Sequence, residues 1–533
     1  MSVRERVGPL LDRLRGGRVA AVDSGYAALA MLVAVALVAP LAWLVVDVTG
    51  LGGRALELTI SSRTLAVLGR SVALVAVVTA ASIAVGVPLA VLTVQASIPY
   101  RRFWTVLCAL PLAVPSYLGA FAALSAFGPD GPLSTALGLP LPAVEGFAGA
   151  ALILTLYTYP YVFLTTRASL LSLDASLVEA ARTLNCGRLT AFRRVTLPQI
   201  LPGIAAGALL VALYALADFG TPNFMNVEVF TQFIYSRYQG LMRDYAALLS
   251  LQLLAVTGVV LFAESRIGAD DSGAYASRGN RGAAELRLGL WRYPALALPA
   301  LVAVLALVLP IGIFAMWLVR GGPGYEFAQL SFSWSYGWNS IYVSALAALA
   351  SVLVALPIAL RSASEDSRLA DLTARVPYVG YATPGIVLAI ALLGFSLDVV
   401  PPLYKTLPLL VFAYVVRFMP QAVGSVRTSA MQVDRRLIEA ARTLGRSRTG
   451  AFRAVTLPLI APGVVTGAAL VFLTTMKELP ATLLLRPIGF DTLVVYIWRV
   501  EEAGLYGQAA IPALVLVVVS GLSMAVLLAQ EDN

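Results

Sequence analysis

Residues 179–203 read EAARTLNCGRLTAFRRVTLPQILPG, and residues 439–463 read EAARTLGRSRTGAFRAVTLPLIAPG. The two copies lie 260 residues apart and are identical at 17 of 25 positions. Each copy is polar, rich in Arg, and placed between long apolar segments. A repeat at this spacing indicates a chain built from two similar halves, each of which carries the same polar element.

The composition around these copies is that of a membrane protein. Of the 533 residues, 59% are hydrophobic and only 13% are charged, whereas soluble domains carry about 25% charged residues. Apolar runs of about 20 residues recur along the chain, which is the length that spans a bilayer core. The sequence therefore predicts an all-α polytopic membrane protein with about twelve transmembrane helices in two homologous six-helix halves. The predicted spans are 26–46, 65–94, 103–127, 147–171, 202–217, 245–264, 294–319, 338–360, 372–396, 407–430, 461–476 and 507–529.

This pattern divides the chain into four parts. They are a cytoplasmic N-terminal segment at 1–25, a first half at 26–264, a cytoplasmic linker at 265–293 and a second half at 294–529. The first apolar run is longer than the 7–15 residues of a signal peptide core, so we interpret it as a retained membrane helix. Spans five and eleven are short and rich in Gly and Ala, which predicts closely packed inner helices.

Basic residues predict the orientation of the chain. The formal net charge is +9, and it comes almost wholly from Arg, because Lys occurs only at 405 and 477. Arg residues cluster in loops on one side, whereas 128–146 contains Asp130 and Glu145 and no basic residue. The positive-inside rule makes the Arg-rich side cytoplasmic. The chain is therefore expected in the plasma membrane of a prokaryote, with both termini in the cytoplasm. Because these Arg residues lie at span ends rather than on one surface, nucleic acid is not an expected partner.

Several kinds of chemistry are absent from the sequence. The chain contains no His, so His metal sites and His-based triads are excluded. Neither Lys follows a Gly-rich loop, so the chain contains no P-loop of its own. The two cysteines, Cys108 and Cys186, imply no disulfide framework. We therefore expect no catalytic residue, no metal site and no enzyme activity in this chain.

Each repeated segment encodes a short capped helix outside the bilayer. Asp174 and Asp434 can act as N-caps, and Ser176 with Glu179 forms a capping box in the first copy. The helix ends where a left-handed residue is expected, at Asn185 or Gly445. An acidic start, a smooth Ala pair and a basic rim predict a docking surface for a partner protein, formed by Glu179, Ala180, Ala181, Arg182, Glu439, Ala440, Ala441 and Arg442. The alternative is a generic interfacial loop that was duplicated with its half.

This motif resembles the EAA signature of type I ABC importer permeases, in which such a loop meets a cytoplasmic ATPase. The second copy matches at Glu439, Ala440, Ala441 and Gly445, whereas the first copy has Asn185 where Gly is expected. The resemblance covers two permease modules, at about 64–264 and 337–529. It implies two copies of a cytoplasmic ABC ATPase that bind ATP and Mg, an extracytoplasmic substrate-binding protein, and no cofactor on this chain. Weaker docking at the Asn185 copy is left open.

Two further segments resemble the ferric-iron branch of these permeases: ALADFGTPNFMN at 215–226 and MKELPATLLLRPIGFDTL at 476–493. Asp218 aligns with Glu478, so Asp218, Lys477 and Glu478 are expected near the external mouth of a pathway, or alternatively as anchors at the water interface.

The substrate depends on the resemblance, since no iron site is visible in the sequence. Importers of thiamine, phosphonate, or sulfate and molybdate remain alternatives. A secondary transporter is the alternative from another class, but it would be expected to bury ionisable residues near the midplane.

Overall fold

The computed structural model describes residues 35–36, 38–129, 131–173, 183, 187–269, 289–320, 331–364 and 378–531. In these ranges the chain forms helices and no β-strand. The main helices are Ser62–Val94, Arg101–Ala109, Ser116–Ala126, Gly146–Ser172, Leu197–Ala217, Phe230–Gln239, Arg243–Ala269, Ala297–Ala303, Leu309–Arg320, Trp334–Ser364, Gly385–Val399, Leu407–Met431, Arg435–Thr443, Leu457–Met476, Leu493–Glu502 and Ala510–Glu531. The predicted all-α class is confirmed.

Among the described residues, eight helices are long and apolar enough to cross a membrane, and a bent pair makes a ninth candidate. Three shorter apolar helices, Val38–Thr49, Gly385–Val399 and Tyr506–Leu522, overlap predicted spans that the longer helices do not occupy. The described part of each of the twelve predicted spans therefore overlaps an apolar helix, although residues 26–34 and 372–377 of two spans lie outside the described residues. The number of membrane crossings stays a prediction.

Two predicted spans are broken helices in the structure. The segment predicted at 103–127 consists of Arg101–Leu112 and Ser116–Ala126, which meet at an angle of 85°. Pro111 and Pro115 lie at this break, and Pro interrupts a helix because it has no amide hydrogen to donate. In the second half, the described part of the span predicted at 372–396 is interrupted immediately before Gly385, at Pro384. A hydropathy pattern detects the apolar run but not this change of direction.

The two Gly-rich spans are closely packed at their glycines, as predicted, but they belong to longer helices, Phe192–Ala217 and Arg448–Met476. Only 39% and 28% of their most apolar stretches are buried among the described residues, so an inner position stays a prediction. We call Leu197–Ala217 the first inner helix and Leu457–Met476 the second inner helix. A Cβ atom added at Gly203 would lie 3.0 Å from the Thr165 carbonyl oxygen and would collide with the Ser169 hydroxyl. A Cβ atom added at Gly463 would lie 2.6 Å from the Ser425 carbonyl oxygen. Small residues at these positions allow each inner helix to approach the preceding long helix of its own half.

Packing divides the chain into two compact units that differ from the halves of the sequence. The first unit comprises Met1–Leu44, Val343–Tyr381 and Ala391–Thr475, and the second comprises Val45–Tyr342, Ala382–Ile390 and Met476–Asn533.

Single contacts illustrate this division. Within the first unit, the Trp43 indole donates a hydrogen bond to Asp398 Oδ2 at 3.1 Å. Within the second unit, the Phe121 ring lies 6.1 Å, centroid to centroid, from both Phe314 and Trp317. The first span of each half thus packs against a broken span of the other half.

Candidate coupling helix and outer corners

The second copy of the repeated segment forms the predicted capped helix, Arg435–Thr443. The Asp434 carboxylate accepts a hydrogen bond from the Arg436 amide at 2.9 Å, as an N-cap residue does. Gly445 follows the helix with a φ of +86°, the left-handed conformation expected there. Glu439, Ala440 and Arg442 are exposed and Ala441 is half-buried, so a partner can reach this face.

The first copy is described only in part. Glu179, Ala180, Ala181, Arg182 and Asn185 lie outside the described residues, as do the predicted caps Asp174 and Ser176. From residue 187 onward the chain is described again, and it forms the helical turn Arg188–Ala191 that leads towards the first inner helix. The docking role of both copies stays a prediction.

A wide helical turn connects each repeated segment to its inner helix. The segments are Phe192–Thr196 and Phe452–Thr456, and both are π-helical. The Leu197 amide donates to the Phe192 carbonyl, and the Leu457 amide donates to the Phe452 carbonyl, five residues earlier in each case. Pro follows each of these Leu residues, and its ring would clash with the carbonyl four residues earlier in a regular helix. The same Pro therefore accounts for the same wide turn in both halves.

The first inner helix ends at a polar corner around Asp218, which we call the first outer corner. Asp218 Oδ2 accepts a hydrogen bond from the Ser116 hydroxyl at 2.9 Å, and Oδ1 accepts one from the Gly220 amide at 3.2 Å. The Ser116 hydroxyl also lies 3.2 Å from the Tyr214 hydroxyl. The Asp218 carbonyl oxygen accepts a hydrogen bond from Thr231 Oγ1 at 2.8 Å. This corner ties the inner helix to the broken span through Ser116, which begins the segment after Pro115.

The second inner helix ends at the corresponding pair Lys477–Glu478, the second outer corner. Lys477 Nζ donates a hydrogen bond to the carbonyl oxygen of Leu112, in the same broken span, at 3.2 Å. Glu478 is 6% exposed, and its Oε1 accepts a hydrogen bond from the Ala481 amide at 3.3 Å. The Glu478 carbonyl also accepts a hydrogen bond from the Thr482 hydroxyl. Buried charges of this kind need partners, and both side chains have them.

Tyr117 lies between the two outer corners. A Cβ atom added at Gly220 would lie 2.8 Å from Tyr117 Cβ and 3.1 Å from Leu479 Cδ2. The Tyr117 hydroxyl interacts electrostatically with Tyr214, Glu478 and Asp218. The two outer corners therefore share Tyr117 as a neighbour, and Lys477 is adjacent to Glu478 in the chain. That Asp218, Lys477 and Glu478 lie at the mouth of a pathway stays a prediction.

The sequence interpretation missed Ser116, Tyr117 and Tyr214. One signal was available: Ser116 and Tyr117 directly follow Pro115 inside an otherwise apolar run, and polar residues at a Pro break mark a change of chain direction. Nothing in the sequence placed Tyr214 against them, since that contact joins residues 98 positions apart. Within the described ranges, no group of three or more His, Cys, Asp or Glu residues could hold a metal ion.

Beyond each outer corner, a short helix is anchored in the same way in both halves. We call Phe230–Gln239 the first outer helix and Leu493–Glu502 the second outer helix. The Phe230 amide donates to Ser71 Oγ at 2.9 Å, and the Leu493 amide donates to Ser340 Oγ at 2.9 Å. An acidic residue precedes each helix and pairs with two Arg residues: Glu228 with Arg63 and Arg70, and Asp491 with Arg486 and Arg499.

Comparison with known proteins agrees with this duplicated architecture. The model of the family "binding-protein-dependent transport system inner membrane component" matches twice, at residues 82–267 and 351–531. The Fe(3+)-transport system permease protein FbpB 2 of Haemophilus influenzae is 30% identical over 506 residues, which cover 93% of this chain and 96% of that protein. The probable ABC transporter permease protein y4fN of Sinorhizobium fredii is 26% identical over 512 residues, 89% of each chain.

A third relative matches a smaller part of the chain. The probable molybdenum ABC transporter permease protein HVO_B0370 of Haloferax volcanii is 30% identical over 190 residues, 34% of this chain and 68% of that protein. All three relatives are transporter permeases rather than enzymes. This chain belongs to the family of inner membrane components of binding-protein-dependent transport systems and is a multi-pass permease of the plasma membrane.

Proposed function

We propose that this chain is the complete membrane pore of an ATP-driven importer for ferric iron, with its two halves taking the place of two separate permease subunits. The observation that carries the proposal is the similarity to a ferric permease over 93% of this chain, through both halves. The molybdenum permease relative, by contrast, corresponds to 34% of this chain.

The chemistry of the outer corners supports a cation as the substrate. Carboxylate and phenolic oxygens are the ligands that a hard trivalent cation prefers. Asp218 and Glu478 provide two carboxylates, and Tyr117 and Tyr214 provide two phenols. A molybdate, sulfate or phosphonate pathway would instead call for hydrogen-bond donors and positive charge. Lys477 is the cation at this place, and its ammonium group donates to a backbone carbonyl.

The same proposal includes the partners. Two copies of a cytoplasmic ABC ATPase dock on the repeated segments and carry the ATP and Mg, while this chain binds no cofactor. A substrate-binding protein delivers the iron to the outer side. Both termini and the linker at 265–293 lie in the cytoplasm. The exposed face of Arg435–Thr443 supports the docking surface, because its N-cap and its Gly445 ending fix a short rigid helix in the polar segment.

Transport of labelled iron into proteoliposomes tests the substrate. The vesicles contain this permease with its cognate ATPase, and the binding protein is supplied outside with iron-55 as Fe(III) or with molybdate. We expect ATP-dependent accumulation of iron and none of molybdate. Accumulation of molybdate, thiamine or a phosphonate instead of iron would replace the substrate and leave the architecture intact.

A charge-neutral double variant links that transport to the outer corners. Asp218→Asn with Glu478→Gln keeps the shape of both side chains and removes both negative charges. We expect the initial rate of iron uptake to fall by about tenfold or more, since hydrogen bonds to charged groups contribute about 1.5–3 kcal/mol each. Copurification with the ATPase should be unchanged, and an unchanged uptake rate would remove these carboxylates from the pathway.

Reporter fusions test the orientation independently. A reporter inserted at 130–145 should report the outside, and one inserted at 270–285 should report the cytoplasm, as the Arg distribution predicts. If both report the same side, the number of spans between them is wrong.

A further inference from the structure

We propose that Tyr117, Tyr214 and Asp218, with Glu478 beside them, form a transit site that coordinates Fe(III) through phenolate and carboxylate oxygens. This proposal rests on the proposed function, because it names the ligands that the iron would meet at the outer corners. It also assigns a role to two tyrosines that the sequence interpretation did not select.

The proposed ligands lie on three separate segments at and between the two outer corners. Tyr214 lies one helical turn before Asp218 on the first inner helix. Tyr117 lies in the broken span, directly after Ser116, whose hydroxyl contacts both Asp218 Oδ2 at 2.9 Å and the Tyr214 hydroxyl at 3.2 Å. Glu478 follows the second inner helix. Ser116 therefore holds the Tyr214 and Asp218 oxygen atoms together, and the approach of Leu479 to Gly220 brings the segment that carries Glu478 beside this corner.

The Tyr117 hydroxyl is the observation that points to a ligand. Tyr117 is only 5% exposed, and its hydroxyl makes no hydrogen bond within the described part of the chain. Burying a hydroxyl without a hydrogen-bond partner costs about 1–3 kcal/mol, so a fold normally supplies one. The groups that interact electrostatically with this hydroxyl are Tyr214, Glu478 and Asp218, all of which carry oxygen. A bound cation would satisfy the Tyr117 oxygen and use the same neighbours.

Two other buried tyrosines of the first half have hydroxyls that hydrogen-bond to backbone carbonyls, unlike the Tyr117 hydroxyl. The Tyr159 hydroxyl donates to the Cys108 carbonyl at 2.7 Å, and the Tyr157 hydroxyl donates to the Ala306 carbonyl at 2.9 Å. Both are buried, as Tyr117 is, and both have a backbone acceptor. Tyr159 therefore provides a matched control on the same half of the chain.

The second half does not carry the same ligand set. The residues that follow its Pro break, Gly385 and Ile386, occupy the positions of Ser116 and Tyr117 in the sequence. Thr474 occupies the position of Tyr214, one turn before Glu478, and its hydroxyl hydrogen-bonds within its own half to Gln421 Oε1 at 3.3 Å. At these corresponding positions, the first half provides phenolic oxygens and the second half does not.

The charges balance when iron binds. Counted with formal charges before binding, the two phenols are neutral, and Asp218, Glu478 and Lys477 sum to one negative charge. Coordination of Fe(III) by both phenolates displaces two protons to water and adds three positive charges. The loaded cluster is then neutral overall, as a buried group of charges requires. The iron stays ferric, so no reductant is needed, and Lys477 keeps the empty cluster from holding a larger negative charge.

Visible spectroscopy tests the site because a phenolate bound to Fe(III) gives a charge-transfer band that carboxylates alone do not. The probe is Fe(III) nitrilotriacetate, titrated into the full-length permease in nanodiscs together with its ATPase. We expect a visible band that grows as iron binds and saturates when the site is full. The comparison set is wild type, Tyr117→Phe, Tyr214→Phe, the double variant and the control Tyr159→Phe.

Each single Tyr→Phe variant at the site should weaken the band, and the double variant should lack it, while Tyr159→Phe should keep the wild-type band. The double variant should still copurify with its ATPase, which shows that it is folded. A wild-type protein with no band at saturating iron, or a double variant that keeps the band, would overturn the site. Iron uptake by wild-type vesicles decides the proposed function separately: uptake without a band removes the site and leaves the ferric importer standing.

Discussion

The two halves of this permease share the same breaks and turns of the backbone but have different side chains at their outer corners. Both halves have a Pro break in a span, a wide helical turn before Pro198 or Pro458, and a Gly-rich inner helix. Each outer helix also begins at an amide held by a Ser hydroxyl at 2.9 Å. These features fix the course of the chain, so duplication kept them in both copies.

The side chains near the corners have diverged instead. In the first half, the Tyr161 and Tyr214 rings lie 6.1 Å apart, centroid to centroid. At the same positions of the second half, Gln421 accepts a hydrogen bond from Thr474. The first half thus has aromatic phenols where the second half has a small polar pair. A pore made by a duplicated chain can keep one scaffold and still place its chemistry on one side.

The largest expected effect tests whether the close packing of the Gly-rich helix is equally necessary in both halves. Gly203→Leu and Gly463→Leu would each force a side chain against a neighbouring backbone carbonyl, 3.0 Å and 2.6 Å from the added Cβ. Overpacking typically costs about 1–3 kcal/mol, and a rigid backbone neighbour places these variants at or above the top of that range. We expect little monodisperse protein after detergent extraction of either variant. Gly258→Leu is the control, because a Cβ atom there meets nothing within 4 Å. Normal yields of both inner-helix variants would disprove the close packing.

The second prediction compares the two repeated segments. Ala441→Glu and Ala181→Glu place a bulky charge on the predicted docking face, and the double variant should lose ATPase association and uptake while remaining folded. The measurement is copurification with the ATPase, followed by transport. Gly445→Asn gives the second copy the ending of the first, and Asn185→Gly does the reverse. If Asn weakens docking, the first change lowers ATPase affinity and the second raises it; equal affinities would remove the asymmetry and leave the docking surface.

The acidic anchors of the outer helices allow a smaller comparison. The Asp491 side chain is 12% exposed and its partners Arg486 and Arg499 are 25% and 39% exposed, whereas Glu228 is 22% exposed with partners at 61% and 53%. Surface ion pairs contribute about 0–1 kcal/mol, and breaking a more buried pair costs more because it leaves charge unpaired. We expect Asp491→Asn to lower the thermal midpoint more than Glu228→Gln does. Equal shifts would mean that burial does not distinguish the anchors.

The smallest expected effect is a pH dependence confined to the second half. Burial, and then the neighbouring Glu502 carboxylate, raises the pKa of Glu501 from 4.5 to about 7 in the second outer helix, outside the candidate spans. A raised pKa means that the folded state holds the proton more tightly than the unfolded state. Its stabilising contribution is complete below pH 4.5 and is lost as pH rises through about 7.

Thermal unfolding of the wild type and of Glu501→Gln between pH 5 and pH 8 measures this contribution. We expect the wild-type midpoint to fall relative to that of Glu501→Gln as pH rises, since the variant has no proton to lose. The first outer helix has Tyr238 and Gln239 at the corresponding end, so it offers no such group. Parallel pH curves for the two proteins would show that Glu501 does not carry the effect.

The sequence predicted those features that depend on local pattern. Apolar length predicted the apolar helices, capping residues predicted the helix at Arg435–Thr443, and small residues predicted the close packing at Gly203 and Gly463. The 260-residue offset also paired Asp218 with Glu478. Each of these rests on residues that are neighbours in the chain or on a repeat that can be aligned by eye.

The features that the sequence did not predict depend on contacts between distant residues. Hydropathy treats 103–127 as one run, so the 85° break at Pro115 and the resulting position of Tyr117 were missed. The division into compact units was also missed, since a repeat reveals which segments are alike and not which segments pack together. Both features depend on the direction of a segment or on its packing partners, which no local sequence pattern encodes.

The contact of Trp43 with Asp398 has a consequence for how the protein is made. These two residues are 355 positions apart, and ribosomes add about 5–20 residues per second. The first membrane helix therefore waits for roughly 20–70 seconds before its partner has been synthesised. During that interval Trp43 lacks the contacts with Phe395 and Asp398 that it makes in the finished protein. Completion of the first half of the chain thus does not complete a folding unit, and assembly of this permease ends late in its translation.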